Sequence, residues 1–139
     1  MPMSVAVVAS DSPEGREALV RAVSEANLRG LELVALAVVD TNSVSEEDRE
    51  ATTLATEQIL TSRGVADATF SVRVEPDGGD PAGAIVDLVA DTGAELLVIG
   101  SKRRSAVGKF LMGSTVQRVL LDSPVPVLVV KAPEVERGR

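Results

Sequence analysis

The chain reads as a doubly wound α/β domain: one parallel five-stranded sheet in the order 3-2-1-4-5, with helices on both faces. Short Val-rich apolar runs alternate with segments of helical periodicity in a βαβαβαβαβ succession, which implies parallel strands joined by right-handed crossovers. The first and fourth runs are the driest, as centrally placed strands are, and the third alternates apolar with polar residues, as a sheet edge does. The 139 residues suit a single domain, with a core over about residues 4–131 and short tails at both ends.

Val5 to Ala9 is the first strand, an unbroken apolar run. Ser12 and Pro13 then give a cap followed by proline in the first helical turn. Ala18, Leu19, Ala22, Val23 and Ala26 mark one face of a helix from about Pro13 to Leu28, and Gly30 stops it. Leu31 to Val39 is the second strand, ending at Asp40, Thr41 and Asn42. The second helix spans Ser45 to Ser62, with Glu46, Glu47 and Asp48 where the helix dipole favours them and Ala51, Leu54, Ala55 and Ile59 as its expected inner face. Gly64 closes it.

In the third strand, Thr69 to Glu75, Phe70, Val72 and Val74 alternate with Ser71, Arg73 and Glu75. Asp80 and Pro81 repeat the cap-plus-proline signal, and Ala82, Ile85, Val86 and Val89 form the inner face of a third helix ending at Gly93. Leu96 to Ile99 is the fourth strand, stopping at Gly100. A last helix from about Ser114 to Asp122 turns Val116, Val119 and Leu120 inward, and Val127 to Val130 is the fifth strand, with Pro126 tolerated at its start. The switch point of such a sheet lies between strands one and four, so Ala9 to Asp11 and Gly100 to Ser101 are expected to border the site.

Composition removes several chemistries. With no Cys, His, Trp or Tyr, serine triads with a histidine base, thiol nucleophiles and zinc or haem sites are excluded, while a hard cation held by carboxylates or by a nucleotide's phosphates remains open. A net charge of −7 and two Phe as the whole aromatic complement disfavour nucleic acid as a partner. Neither a signal segment nor a membrane-length apolar run is present in the sequence, so the expectation is a cytoplasmic protein without a membrane partner.

Phosphate is best held by backbone N–H groups at a glycine turn or at the start of a helix. Gly113-Ser114-Thr115 supplies both, with two hydroxyls that either donate to phosphate or cap the helix. The basic residues Lys102, Arg103, Arg104 and Lys109 form a local exception on an acidic chain. Gly108-Lys109 is followed by Phe110, which excludes a Walker loop, and GxGxxG is absent. Asp77-Gly78-Gly79-Asp80 lacks the spaced acidic ligands of a calcium loop and reads as a turn plus cap.

The stretch from Gly100 to Ser114 closely resembles the nucleotide loop of universal stress proteins, whose pattern is Gly, two residues, Gly, nine residues, Gly, then Ser or Thr. Val116 to Val130 is similar to that family's last helix and strand, Ser12-Pro13-Glu14 to its first helix start, and Asp80-Pro81 to its third. The resemblance implies a dimeric stress-response or signalling protein that binds ATP or AMP, with magnesium carried by the nucleotide as an expected companion, at the carboxyl edge of the sheet. Residue by residue, it implies phosphate and ribose contacts at Gly100, Gly113 and Ser114, a further phosphate donor at Thr115, and a backbone contact to adenine at Val38.

Two positions depart from the pattern. Ser10 stands where nucleotide-binding members have Asp, with Asp11 displaced by one residue, and Arg103 stands at the second glycine. Losing a charged hydrogen bond weakens affinity by about 1.5 to 3 kcal/mol; Arg103, Lys102 or Lys109 pairing with phosphate offsets part of that loss. Three readings therefore stand: a nucleotide-binding regulatory module, a dimeric interaction module that has lost the ligand, and, with least support, a slow nucleotide hydrolase. The apolar strand Val127 to Val130, expected at an edge, is the expected homodimer contact.

Overall fold

The computed structural model describes residues 3–102 and 113–132. Nine elements succeed one another there: β1 (Ser4–Val8), α1 (Pro13–Arg29), β2 (Glu32–Val39), α2 (Glu46–Ser62), β3 (Ser71–Pro76), α3 (Pro81–Asp91), β4 (Ala94–Ser101), α4 (Ser114–Asp122) and β5 (Val127–Lys131). All four strand pairings are parallel and the order is β3-β2-β1-β4-β5, as the sequence predicts. The largest boundary shift is in β4, which gains residues at both ends because its backbone keeps pairing beyond the apolar run.

Side chains alternate across the sheet and feed two cores. On one face α1 lays Ala18, Leu19, Ala22, Val23 and Ala26 against Val5, Val7, Leu33, Ala35, Leu96 and Val98, and α2 adds Leu60. On the other, α3 and α4 cover Ala6, Val34, Leu36, Leu97 and Ile99. The local signals act as expected: Ser12 Oγ accepts from Gly15 N–H at 3.0 Å, Gly30 adopts the left-handed conformation at φ 66°, and Asp80 accepts from Gly83 N–H at 3.2 Å.

Three inner faces differ from expectation. In α2 the buried residues are Thr56 and Leu60, while Leu54 is 55% exposed and Ala51 and Ala55 face outward or line a hollow. The helix is rolled toward β3, where Leu60 reaches the core, and Ala and Thr are too ambivalent in burial to fix its rotation from sequence. In α3 Leu88 joins Ala82, Ile85 and Val89 inside, and Val86 is only half-buried. In α4 only Val119 is fully covered, Val116 packs partly, and Leu120 and Leu121 are exposed. Among the described residues α3 is the helix packed beside α4, at the β5 side of the sheet, and it covers only a narrow face.

Candidate functional site

Parallel strands leave their carboxyl ends at one edge of the sheet, and helices following them begin there. Three of the four helices among the described residues start with a side chain satisfying the first-turn amides. Ser12 does so for α1, Asp80 for α3, and Ser45 forms a reciprocal box with Asp48 for α2. The exception is α4, whose N-cap is Gly113 and which has no side-chain cap hydrogen bond. Gly113 O accepts the normal helical bond from Gln117 N–H at 3.0 Å. A methyl group built on Gly113 would meet nothing within 4 Å, and its φ of −64° is open to any residue. Ser114 is exposed and Thr115 half-buried beside it. Among the described residues, then, the start of α4 has N–H donors without a side-chain cap and two hydroxyls beside an uncrowded glycine, an arrangement suited to an anion.

Gly100 is constrained quite differently. It lies on the α1 side of β4, where a Cβ would come within 2.5 Å of Glu14 O and 3.0 Å of Gly15 N. Gly15 in turn carries its α-carbon against the Ser10 carbonyl. The first turn of α1 thus sits directly on the ends of β1 and β4, and glycine is needed at both positions for that close approach.

Ser101, the next residue, points to the opposite face, the one α3 and α4 cover, because Leu97 and Ile99 alternate with it there. It is 1% exposed, and its hydroxyl has no hydrogen-bond partner among the described residues. Sequence reasoning placed Ser101 at the border of the site without assigning it a role. A serine directly after a dry strand and a tight glycine is the signal that marks it.

Val38 is half-buried near the end of β2, on the same face. Ala9 N–H donates to Leu36 O at 2.7 Å, and Asp77 N–H donates to Val39 O at 2.8 Å, so the main chain alternates between its neighbours. Val38 accordingly turns its own N–H and C=O toward the β1 side, beyond the last β1–β2 bond. That donor–acceptor pair matches in kind what the edge of a purine requires.

Ser10 is exposed, and its hydroxyl lies 2.9 Å from that of Ser12. Asp11 pairs with Arg16 at 2.9 Å. Lys102 is exposed at the end of β4. Arg103 and Lys109 lie outside the described residues. Arg118, in the second turn of α4, bonds Asp80 at 3.4 Å and Asp122 at 3.5 Å, and the neighbouring Asp80 carboxylate, then Asp122, hold its guanidinium above the usual arginine range. The structure thus brings Val38, Gly100, Gly113, Ser114 and Thr115 to one edge, with Ser10 beside them. Among the described residues no group of three or more acidic side chains is placed to hold a metal ion, and no helix is long and apolar enough to cross a membrane.

The comparisons with known proteins agree with this architecture. The model of the universal stress protein family matches residues 1–131. A universal stress protein of Mycolicibacterium smegmatis is 36% identical over 124 residues, which are 88% of this chain and 92% of the relative. Among solved structures, the universal stress protein from Archaeoglobus fulgidus in complex with dAMP superposes with a TM-score of 0.67 at 27% identity, covering 94% of this chain and 98% of that one. A universal stress protein in complex with cAMP gives 0.66 at 25% identity, over 96% and 100%. The family match across nearly the whole chain, joined to the β3-β2-β1-β4-β5 sheet, establishes that this chain belongs to the universal stress protein family.

Proposed function

We propose that this chain is a regulatory module that binds an adenine nucleotide, AMP or ATP, at the carboxyl edge of its sheet and works as a homodimer. The observation that carries the reading is the start of α4, where, among the described residues, no side chain caps the amides after Gly113 and no atom comes within 4 Å of a Cβ placed there. An anion there replaces the missing cap and is favoured by the helix dipole. The base sits against Val38, whose main-chain N–H and C=O form the donor–acceptor pair for the adenine edge, and the ribose lies near Gly100 and Ser10. The relatives solved with dAMP and cAMP support the ligand class. Lys102, Arg103 and Lys109 are the proposed phosphate-pairing side chains. Magnesium, where a triphosphate brings it, is held by the nucleotide's own oxygens.

Calorimetric titration with ATP, AMP and cyclic AMP, each with and without magnesium, tests the reading. One-to-one heat in the micromolar range is the expected result, and silence at millimolar ligand defeats it. The homodimer is proposed to form through the edge strand β5, at Val127 to Val130, whose residues are only half-buried within the chain. Sedimentation of a monomer at micromolar concentration would exclude that contact.

A second reading has its own observation. The position expected to carry an Asp has Ser10, whose hydroxyl is within hydrogen-bond distance of Ser12, and the nearest carboxylate, Asp11, is displaced by one residue and pairs with Arg16 through Oδ1. On this reading, a chain without a carboxylate at position 10 has lost the ligand and works as a dimeric interaction module. Ser10→Asp with Arg103→Gly separates the two readings: restored binding in an otherwise silent protein identifies ligand loss by those substitutions.

A further inference from the structure

The face of the sheet opposite α4 holds a second feature, which touches the proposed nucleotide edge only at Ser10 and lies away from the start of α4. A hollow of about 240 Å³ lies between α1 and α2, floored by Ala9 and Ala37 at the ends of β1 and β2. Leu19 and Gly15 of α1 form one wall, and Ala51, Ala55 and Ile59 of α2 form much of the other. The hollow opens to solvent on one side, and a cleft of this size between two helices forgoes contacts that larger side chains would make there. The hollow exists because the residues around it are small and because α2 is rolled so that Leu60, not Ala55 or Leu54, reaches the core.

Two hydroxyls complete it. Thr52 and Thr56 line the hollow from α2, and Thr56 is 3% exposed. Thr53 returns its hydroxyl to Arg49 O at 2.9 Å, whereas neither Thr52 nor Thr56 makes a side-chain hydrogen bond among the described residues. An apolar chamber with a few unspent polar groups has the composition of a small-molecule pocket. Its rim carries the Asp11 carboxylate, of which Arg16 engages Oδ1, on a protein of net charge −7. The Oδ2 of that carboxylate, unpaired among the described residues, accepts hydrogen bonds, which favours a neutral or cationic donor over an anion at this rim.

We infer that the hollow between α1 and α2 is a second ligand site, taking a compact, largely apolar molecule that carries an N–H donor, of the aromatic-amine or indole kind. The ring fills the alanine-lined chamber, and the donor finds the Thr56 hydroxyl or the Asp11 carboxylate.

Indole serves as the probe, because a chain with no Trp or Tyr leaves its fluorescence without background. Titration of a fixed indole concentration with the full chain is expected to give a saturable blue shift, with half-saturation at or below about 1 mM, as befits so small a ligand. Ala55→Phe, which fills the chamber from an exposed helix position, is expected to weaken binding at least tenfold. Thr56→Val, which keeps the shape and removes the hydroxyl, is expected to weaken it about fivefold, so the inference does not depend on how Ala55→Phe folds. Tryptamine is expected to bind at least tenfold more tightly than indole-3-acetate. Absence of a spectral shift at 5 mM protein-accessible indole, equal binding by a folded Ala55→Phe chain and by Thr56→Val, or preference for the indole acetate anion would each overturn the assignment. None of the substituted residues belongs to the start of α4 or to Val38, so failure here leaves the nucleotide proposal standing.

Discussion

A methyl group added at Gly100 would collide with the Glu14 carbonyl 2.5 Å away, whereas the same group at Gly113 would meet nothing within 4 Å. Both glycines belong to the same loop pattern, and from sequence alone both read as places where backbone approaches phosphate. The structure separates them. Gly100 is required by the chain itself, since α1 begins directly over the ends of β1 and β4. Gly113 is not required by anything among the described residues: its dihedrals suit any amino acid, no atom crowds it, and it forgoes the cap that Ser12, Ser45 and Asp80 give the other helices. Among the described residues, then, the fold neither needs the glycine at position 113 nor caps the helix that follows it.

Substitution tests that contrast directly. Gly100→Ala forces α1 off the sheet or bends β4, and overpacking of this kind costs about 1–3 kcal/mol. Denaturant titration should show the midpoint falling with little change in slope. A stability within about 0.5 kcal/mol of the parent would mean that α1 yields easily, and the contrast between the glycines would collapse. Gly15→Ala meets the Ser10 backbone and should lose a similar amount.

Ser101 sharpens the comparison from the other face of the same strand. Its hydroxyl is closed to solvent and makes no hydrogen bond, and an unsatisfied buried polar group costs about 1–3 kcal/mol. Ser101→Ala removes one atom and that penalty together, so the ligand-free chain should gain stability, on the order of 1 kcal/mol after the small void is counted. A loss of stability would show that the hydroxyl has a partner.

The framework was legible because its signals are local and agree with one another. Ser12-Pro13 and Asp80-Pro81 start helices, Gly30 ends one, and the spacing of Ala18, Leu19, Ala22, Val23 and Ala26 marks the buried side of α1 residue for residue. Strand order followed from dryness, since β1 and β4 are covered on both faces and β3 on one. The rotation of α2 was not legible, because Ala51, Thr52, Ala55 and Thr56 are small residues that suit core, hollow or surface alike; only the reach of Leu60 toward the sheet decides it. At the site, sequence located Gly113, Ser114 and Thr115 correctly at a helix start, yet the absence of a cap depends on where side chains go. The steric role of Gly100 depends on α1, which is remote in sequence and invisible to any local pattern.

The smallest effect on folding is the most informative. At Gly113, alanine is a poorer N-cap than glycine, but it restricts the unfolded chain, which stabilises by about 0.4–1 kcal/mol where the backbone conformation permits it. Those terms oppose each other, so Gly113→Ala should change stability by no more than about 0.5 kcal/mol. Binding is expected to behave otherwise. The added methyl occupies the space an anion needs beside the first amides of α4, and AMP affinity should fall about tenfold, or about 1.4 kcal/mol. Ser114→Ala, which keeps that space and removes one hydroxyl donor, should weaken AMP less, by about threefold to tenfold. Were Gly113→Ala to bind as the parent does while the parent binds AMP well, the open space at the start of α4 would be incidental and the phosphate would have to lie elsewhere along the edge.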